Sequence, residues 1–288
     1  MHELDRILAA CRRMERGVVV TVIRTEGSTY RRPGARAVIS DRGEAVGAIS
    51  GGCLERDLAE RIKPWLADMQ PRVVTYDSTR ADDLVFGLGL GCRGILDLLV
   101  EPFDAAHPPR LLEFRWNGRQ PVEWTTTLPD GGTMVEIIRP ERAIVVFGGG
   151  ADVEPVVALS RQLGWRADVV TTRDPIDLTG YDAAVVMTHN FARDVDILRA
   201  LLASPVPYIG LLGPRSRGDE LRAELLHPGD ARIHSPIGLD LGGETPEDIA
   251  LSIVAEIAAV LNRRDARPLR EREAAIHDSA AAGAAQNL

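Results

Sequence analysis

A chain of 288 residues is long enough for two domains, and with 45% hydrophobic and 26% charged residues it has the composition of a folded protein. Its 34 basic against 42 acidic residues leave a net charge of −8, which argues against a general nucleic-acid binder and against adhesion to an anionic membrane, since both need a basic face. Lys63 is the one lysine among the 34 basic residues, so no P-loop exists, and its place before Pro64 in a surface helix makes it no candidate for Schiff-base chemistry.

The chain opens with MHELDRILAACRRMERG, whose Leu4, Ile7, Leu8, Cys11 and Met14 follow helical spacing over residues 2–16. It lacks the apolar core of a signal peptide, and Cys11 reads as packing on the apolar face. Three cysteines suit a reducing compartment rather than a disulfide framework. With no run of about 18 apolar residues, the expected location is cytoplasmic.

VVVTVIR at 18–24 predicts a buried strand, ARAVIS and AVGAIS two more around a turn at DRGE, and GGCLERDLAERIKPWL a glycine turn running into a helix. PRVVTYD and ILDLLVEP read as strands on either side of a glycine-rich loop. Residues 104–140, with Asn117-Gly118 and Asp130-Gly131-Gly132, read as a linker with a hairpin. From Ala143 strand and helix alternate, as in a doubly wound parallel sheet. The last helix begins at TPEDI, where Thr245 caps, Pro246 takes the first helical position and Glu247 and Asp248 complement the dipole. The alanine-rich stretch after Ala274 reads as a frayed tail.

Five stretches carry candidate chemistry. Gly51-Gly52-Cys53-Leu54-Glu55 sets two glycines and a thiol at a helix start, where backbone amides and the dipole favour an anion or a thiolate, with Glu55 near enough to orient or exchange a proton. The loop Gly87-Leu88-Gly89-Leu90-Gly91-Cys92-Arg93-Gly94 embeds a second cysteine among glycines. Two thiols do not make a closed zinc site, which wants four ligands. Gly148-Gly149-Gly150-Ala151-Asp152-Val153 follows a strand and fits G-x-G-x-x-G except at Val153; the acid expected about 20 residues on is missing, and Arg173 follows there instead. Thr188-His189, with Asp194 and Asp196 after it, ends a parallel strand where binding crevices form. Gly213-Pro214-Arg215-Ser216-Arg217 ends another strand with two arginines able to bind phosphate or carboxylate.

Together these residues resemble the XdhC/CoxI family, the accessory factors of xanthine dehydrogenase and related molybdenum hydroxylases. The stretches that carry the resemblance are EGSTYRRPGARAVIS, GAISGGCLERDL, GLGLGCRGILDLLVEP, VVFGGGADVEPVVALSRQLGW, VVMTHNFARDVDIL, YIGLLGPRSR and IHSPIGLDLGGETPEDIALSIVAEI, in the family's order over nearly the whole chain. The resemblance implies an N-terminal α/β domain over 1–103, the linker and hairpin at 104–140, a Rossmann-like doubly wound domain over 141–274 and a tail over 275–288. It implies a chaperone that binds molybdenum cofactor (molybdopterin), assists its sulfuration by a cysteine desulfurase and delivers it to an apo molybdenum hydroxylase. A homodimer is the expected assembly.

On this reading Cys53, Cys92 and Glu55 carry the chemistry, with Cys53 as sulfur or molybdenum contact and Gly51, Gly52 and Gly91 as a backbone cradle. Gly148, Gly150, His189, Asp194 and Arg215 are the cofactor-binding candidates of the Rossmann-like half. The chain departs from the family pattern at Arg93, Thr171, Asn190, Phe191 and Pro214. Two other readings compete: an NAD(P)-dependent oxidoreductase built on the C-terminal domain, and a non-catalytic scaffold that docks partner proteins.

Overall fold

The computed structural model describes residues 2–78, 94–172, 174–225 and 229–273. It divides into two compact units, Met1–Glu141 and Arg142–Leu288.

In the first unit, α1 (Glu3–Arg13) precedes β1 (Arg16–Gly27), β2 (Arg36–Ser40), β3 (Ala45–Gly47), α2 (Cys53–Asp68), β4 (Arg72–Asp77) and β5 (Gly94–Asp104). The strands form one sheet in the order β3-β2-β1-β5-β4, with every pairing antiparallel. The run VVVTVI is apolar without alternation because the central strand is covered on both faces. Val18, Val20 and Val22 pack with Leu54, Leu58, Ile62 and Leu66 of α2. Val19, on the opposite face, packs with Leu4, Ile7, Leu8 and Cys11 of α1. Each such aliphatic side chain contributes about 1.5–3 kcal/mol when fully buried. Burial pushes the Cys11 thiol up to about 12, which suits packing and not reactivity.

The segment expected to link the domains does more than span them. It forms β6 (Val122–Thr127) and β7 (Thr133–Ile138), a two-stranded hairpin. Leu111, Phe114 and Ile138 enter the same core cluster as α1. Trp116 donates from its indole to Asp5 Oδ1 at 2.9 Å. Arg36, buried on the sheet face, is held by Glu136 of β7. The sequence shows turn residues here; the partners that make the hairpin part of the core lie 100 and 111 positions away.

The second unit alternates as expected: β8 (Ala143–Phe147), α3 (Val153–Gln162), β9 (Arg166–Val170), β10 (Ala183–Val186), α4 (Phe191–Leu202), β11 (Ile209–Leu211), α5 (Arg215–Glu224), β12 (Ile233–His234) and α6 (Pro246–Leu261). All pairings are parallel, in the order β12-β11-β10-β8-β9. Ile144 and Val146 face α3 and α6, while Val145 and Phe147 face α4 and α5, so the sheet is covered on both sides. This is a Rossmann-like doubly wound layer. Its first strand, β8, lies between the second and the third, so the winding reverses between β8 and β10, the place where open α/β sheets form ligand crevices. Thr245 and Asp248 form a reciprocal capping box at the start of α6, with Pro246 as its first residue. No helix among the described residues is long and apolar enough to cross a membrane.

Candidate functional site

Each unit carries a glycine turn that enters a helix, and the two are built differently. In the first unit Gly52 precedes Cys53, the first residue of α2, with a left-handed backbone at φ 105°. A Cβ at Gly51 or Gly52 would meet nothing within 4 Å, so the turn faces open space. Ser50 organises it from behind. Its hydroxyl accepts from the Gly52 and Leu54 amides at 3.1 and 3.2 Å and donates to the Glu55 carboxylate. Glu55 is buried and also accepts from the Ile49 and Ser50 amides, both at 2.8 Å. Burial works to raise its carboxyl, but these hydrogen bonds outweigh it and hold Glu55 below the ordinary carboxylate range. An acid so fully used as acceptor fastens the turn rather than shuttling protons.

Cys53 itself is half-buried, with Sγ 3.8 Å from the Ser50 hydroxyl. No hydrogen bond among the described residues engages the Gly51 or Cys53 amides. Among the described residues the turn therefore presents a half-buried thiol, two amides without an acceptor and a helix N-terminus around a space that no side chain fills. A soft thiolate suits molybdenum, and the amides with the dipole suit an anionic group. Among the described residues no three His, Cys, Asp or Glu side chains cluster as a metal site.

In the second unit β8 ends at Gly148, where a Cβ would lie 2.6 Å from the Met187 carbonyl oxygen and 3.0 Å from Val153 Cγ2. Gly148 is there for close packing, and Val153, in the third fingerprint position, is a buried core residue. A Cβ at Gly150 would lie 2.4 Å from Asp152 Oδ1. The absent side chain makes room for the Asp152 carboxylate, whose Oδ2 meets His189 Nε2 at 2.8 Å. His189 follows β10 with a left-handed backbone, φ 57°, and an exposed ring.

Asp194 lies behind that loop. It is buried, and it accepts from the Thr188 hydroxyl and, at 2.7 Å, from Arg217. It positions the His189 loop and offers no free oxygen face to a ligand. Arg215 starts α5 as an exposed residue, and Asp196 is exposed on α4. Asn190 caps α4 by accepting from the Arg193 amide at 3.1 Å.

Cys53, Glu55, Gly51 and Gly52 thus meet in one turn of the first unit, and Gly148, Gly150, His189 and Asp194 lie after the carboxyl ends of β8 and β10 in the second. Gly91, Cys92, Arg93 and Arg173 lie outside the described residues. Gly94, the last glycine of the second loop, is described: a Cβ there would meet the Ser28 and Glu26 carbonyl oxygens at 2.5 and 2.7 Å. Sequence reasoning missed Ser50 and Asp152 as organising residues. A serine three positions before the helix start, with an acid at its third residue, was a signal for the first. Nothing local signalled that Asp152 pairs with His189.

Comparison with known proteins agrees with this two-part architecture. Residues 10–77 match the XdhC and CoxI family, and residues 144–257 match the XdhC Rossmann domain. The chain is 30% identical to a probable xanthine dehydrogenase subunit of Bacillus subtilis, over 86% of this chain and 94% of that one. It is 23% identical to the molybdenum cofactor insertion chaperone PaoD of Escherichia coli, over 84% and 83% of the two chains. A crystal structure described as a xanthine dehydrogenase from Bacillus halodurans shares 25% identity and superposes with a TM-score of 0.77, covering 93% of this chain and 99% of that one.

Proposed function

The chain belongs to the XdhC and CoxI family, and from that premise we propose that it binds molybdenum cofactor as cargo and hands it to an apo molybdenum hydroxylase. The relative named as a molybdenum cofactor insertion chaperone supports the reading. The observation that carries it is the open Gly51–Gly52 turn with Cys53 at the head of α2. The cofactor is substrate here and supplies the redox metal centre that the hydroxylase needs. This chain's part is to hold it. The Cys53 side chain would hold the molybdenum end, and the Gly51 and Cys53 amides would receive an anionic group. Ser50 and Glu55 keep the turn in shape, with the Ser50 hydroxyl also in contact with the thiol. Sulfuration by a cysteine desulfurase, and action as a homodimer, belong to the same proposal.

An NAD(P)-dependent activity of the second unit finds less support. The α3 N-terminus, where a dinucleotide pyrophosphate would bind, carries the Asp152 carboxylate, whose negative charge opposes an anion there.

The test is anaerobic purification of wild type and Cys53→Ser from a host that makes the cofactor. Pterin retained through gel filtration is then measured after oxidation to its fluorescent form, and molybdenum is measured in the same fractions. Retained pterin and molybdenum in the wild type, lost in Cys53→Ser, is the expected result. Equal retention by both proteins, or none by either, overturns the proposal.

A further inference from the structure

The first unit holds a polar cavity on the face of its sheet that α2 does not cover. One wall is the sheet itself. Val19 pairs with Glu101 across β1 and β5, and Thr21 pairs with Arg36 across β1 and β2, so the four side chains share one face. Trp124 and Thr126 of β6, with Arg110 and Leu111 of the short helical turn Arg110–Glu113, complete the lining. The volume is about 70 Å³. One water needs only ~10–15 Å³, so a molecule of a few non-hydrogen atoms fits.

The protein meets the polar groups of this lining unequally. Arg36 is buried and fully used, donating to the Gly34 carbonyl at 2.9 Å and to the Glu136 carboxylate. Arg110 is used in part. Its guanidinium stacks 5.6 Å above the Trp124 ring and its Nη1 donates to Thr127 Oγ1 at 3.1 Å, but no hydrogen bond among the described residues uses Nη2. Glu101 is half-buried and makes no hydrogen bond or ion pair among the described residues. Burial pushes its carboxyl up, and the charges of Arg36 and Arg110 offset that only in part. Thr126 is 6% exposed, and its hydroxyl oxygen is buried without a partner. A buried polar group left unpartnered destabilises a fold, so two of them on one cavity call for a ligand that supplies what the protein does not.

Charge selects the kind of ligand. An anion here would meet the Glu101 carboxylate, and a cation would meet the Arg110 guanidinium. A neutral group with N–H donors at one end and an oxygen acceptor at the other suits both. We propose that this cavity binds a small primary carboxamide, its NH2 group donating to Glu101 and its carbonyl oxygen accepting from Thr126 Oγ1 and Arg110 Nη2. The cavity and the Cys53 turn lie on opposite faces of the sheet, so the site stands or falls separately from the proposed cargo role.

Three probes of equal size and different charge test it: acetamide, acetate and acetamidinium. Each is titrated into the full isotope-labelled chain, and the indole signal that disappears in Trp124→Phe is followed by NMR. Acetamide is expected to saturate that signal in the millimolar range, as suits so small a ligand, with acetate and acetamidinium at least about fivefold weaker. Glu101→Gln keeps the shape and removes the charged acceptor, so it should weaken acetamide about tenfold. In the same variant acetate should gain on acetamide, because the charge that excluded it is gone; a merely structural role for Glu101 would not change that preference. Thr126→Val keeps the volume and removes the hydroxyl, and it should weaken acetamide about fivefold. Thermal midpoints of both variants report folding, and if one fails to fold the other decides. No saturation by any probe, the result for a cavity that holds water only, overturns the proposal. So does acetate or acetamidinium binding as tightly as acetamide, or unchanged acetamide affinity in a folded variant.

Discussion

The two glycine turns look alike as sequence, each a pair or trio of glycines with an acid two or three residues after the last of them, and they do opposite things with that acid. In the first unit Glu55 folds back under the turn, is buried, and binds Ser50 and two amides, so its charge is kept off the outer face of the turn. In the second unit Asp152 stays in the turn and reaches across to His189, so the acid becomes part of the exposed face. The glycines differ to match. Gly51 and Gly52 border open space, whereas Gly148 is pressed against the Met187 carbonyl of the neighbouring strand. A glycine turn is therefore a site for different ligands depending on where its acid points, and that is decided by what lies behind the turn.

Substitutions at these positions separate the two constructions. The largest effect is expected for Gly148→Ala, whose Cβ would overlap backbone that cannot move without disturbing β10. It should destabilise the second unit by about 3 kcal/mol in urea denaturation, at the upper end for overpacking. Next comes Glu55→Gln, which weakens a buried three-donor acceptor and should cost about 2 kcal/mol.

The same variant has a pH signature. The Glu55 carboxyl titrates lower in the folded chain than its ordinary 4.5, so its stabilisation is fully present above that pH and is lost as pH falls through the lower folded value. Denaturation midpoints measured from pH 7 down to pH 3 should therefore converge for wild type and Glu55→Gln at the acid end. A constant gap would show that Glu55 does not stabilise through its charge.

Gly52→Ala should cost about 1 kcal/mol, the strain of a side chain in a left-handed backbone with free space around it. Gly51→Ala should change stability by less than about 0.5 kcal/mol, as a surface substitution does. Yet it places a methyl group in the proposed cradle. If Gly51→Ala lowers retained pterin while leaving the denaturation curve unchanged, the openness of the first turn serves binding. An unchanged pterin content would mean the amides are not its contact.

Much of the fold was legible from local pattern. The run VVVTVI could only be a strand covered on both faces, and the TPEDI start of α6 carries its own cap, its proline and its acids in consecutive residues. The alternation after Ala143 gave the parallel sheet without any knowledge of partners. The hairpin was less legible. Its turns are written in Asn117-Gly118 and Asp130-Gly131, but its attachment depends on Arg36 meeting Glu136 and Trp116 meeting Asp5. The candidate sites divide in the same way. Cys53 at a helix start and His189 at a strand end follow from nearest neighbours. Asp194 reads as a ligand in the sequence, whereas its carboxylate is buried against Thr188 and Arg217.

The amino-acid sequence by itself determined the elements, their order, the family and the places where a ligand could approach. Each of these depends on residues a few positions apart: hydrophobic period, caps, glycines and strand ends. Only the tertiary structure decided which polar groups are engaged and which are free. Glu55, Asp152 and Asp194 are equal as acids in the sequence, and three different sets of partners made one a fastening, one an anchor for an imidazole and one a hidden support. A carboxylate's chemistry is set by the donors that surround it, and in this chain the partner of Asp152 and one of the two donors to Asp194 come from 37 and 23 residues away.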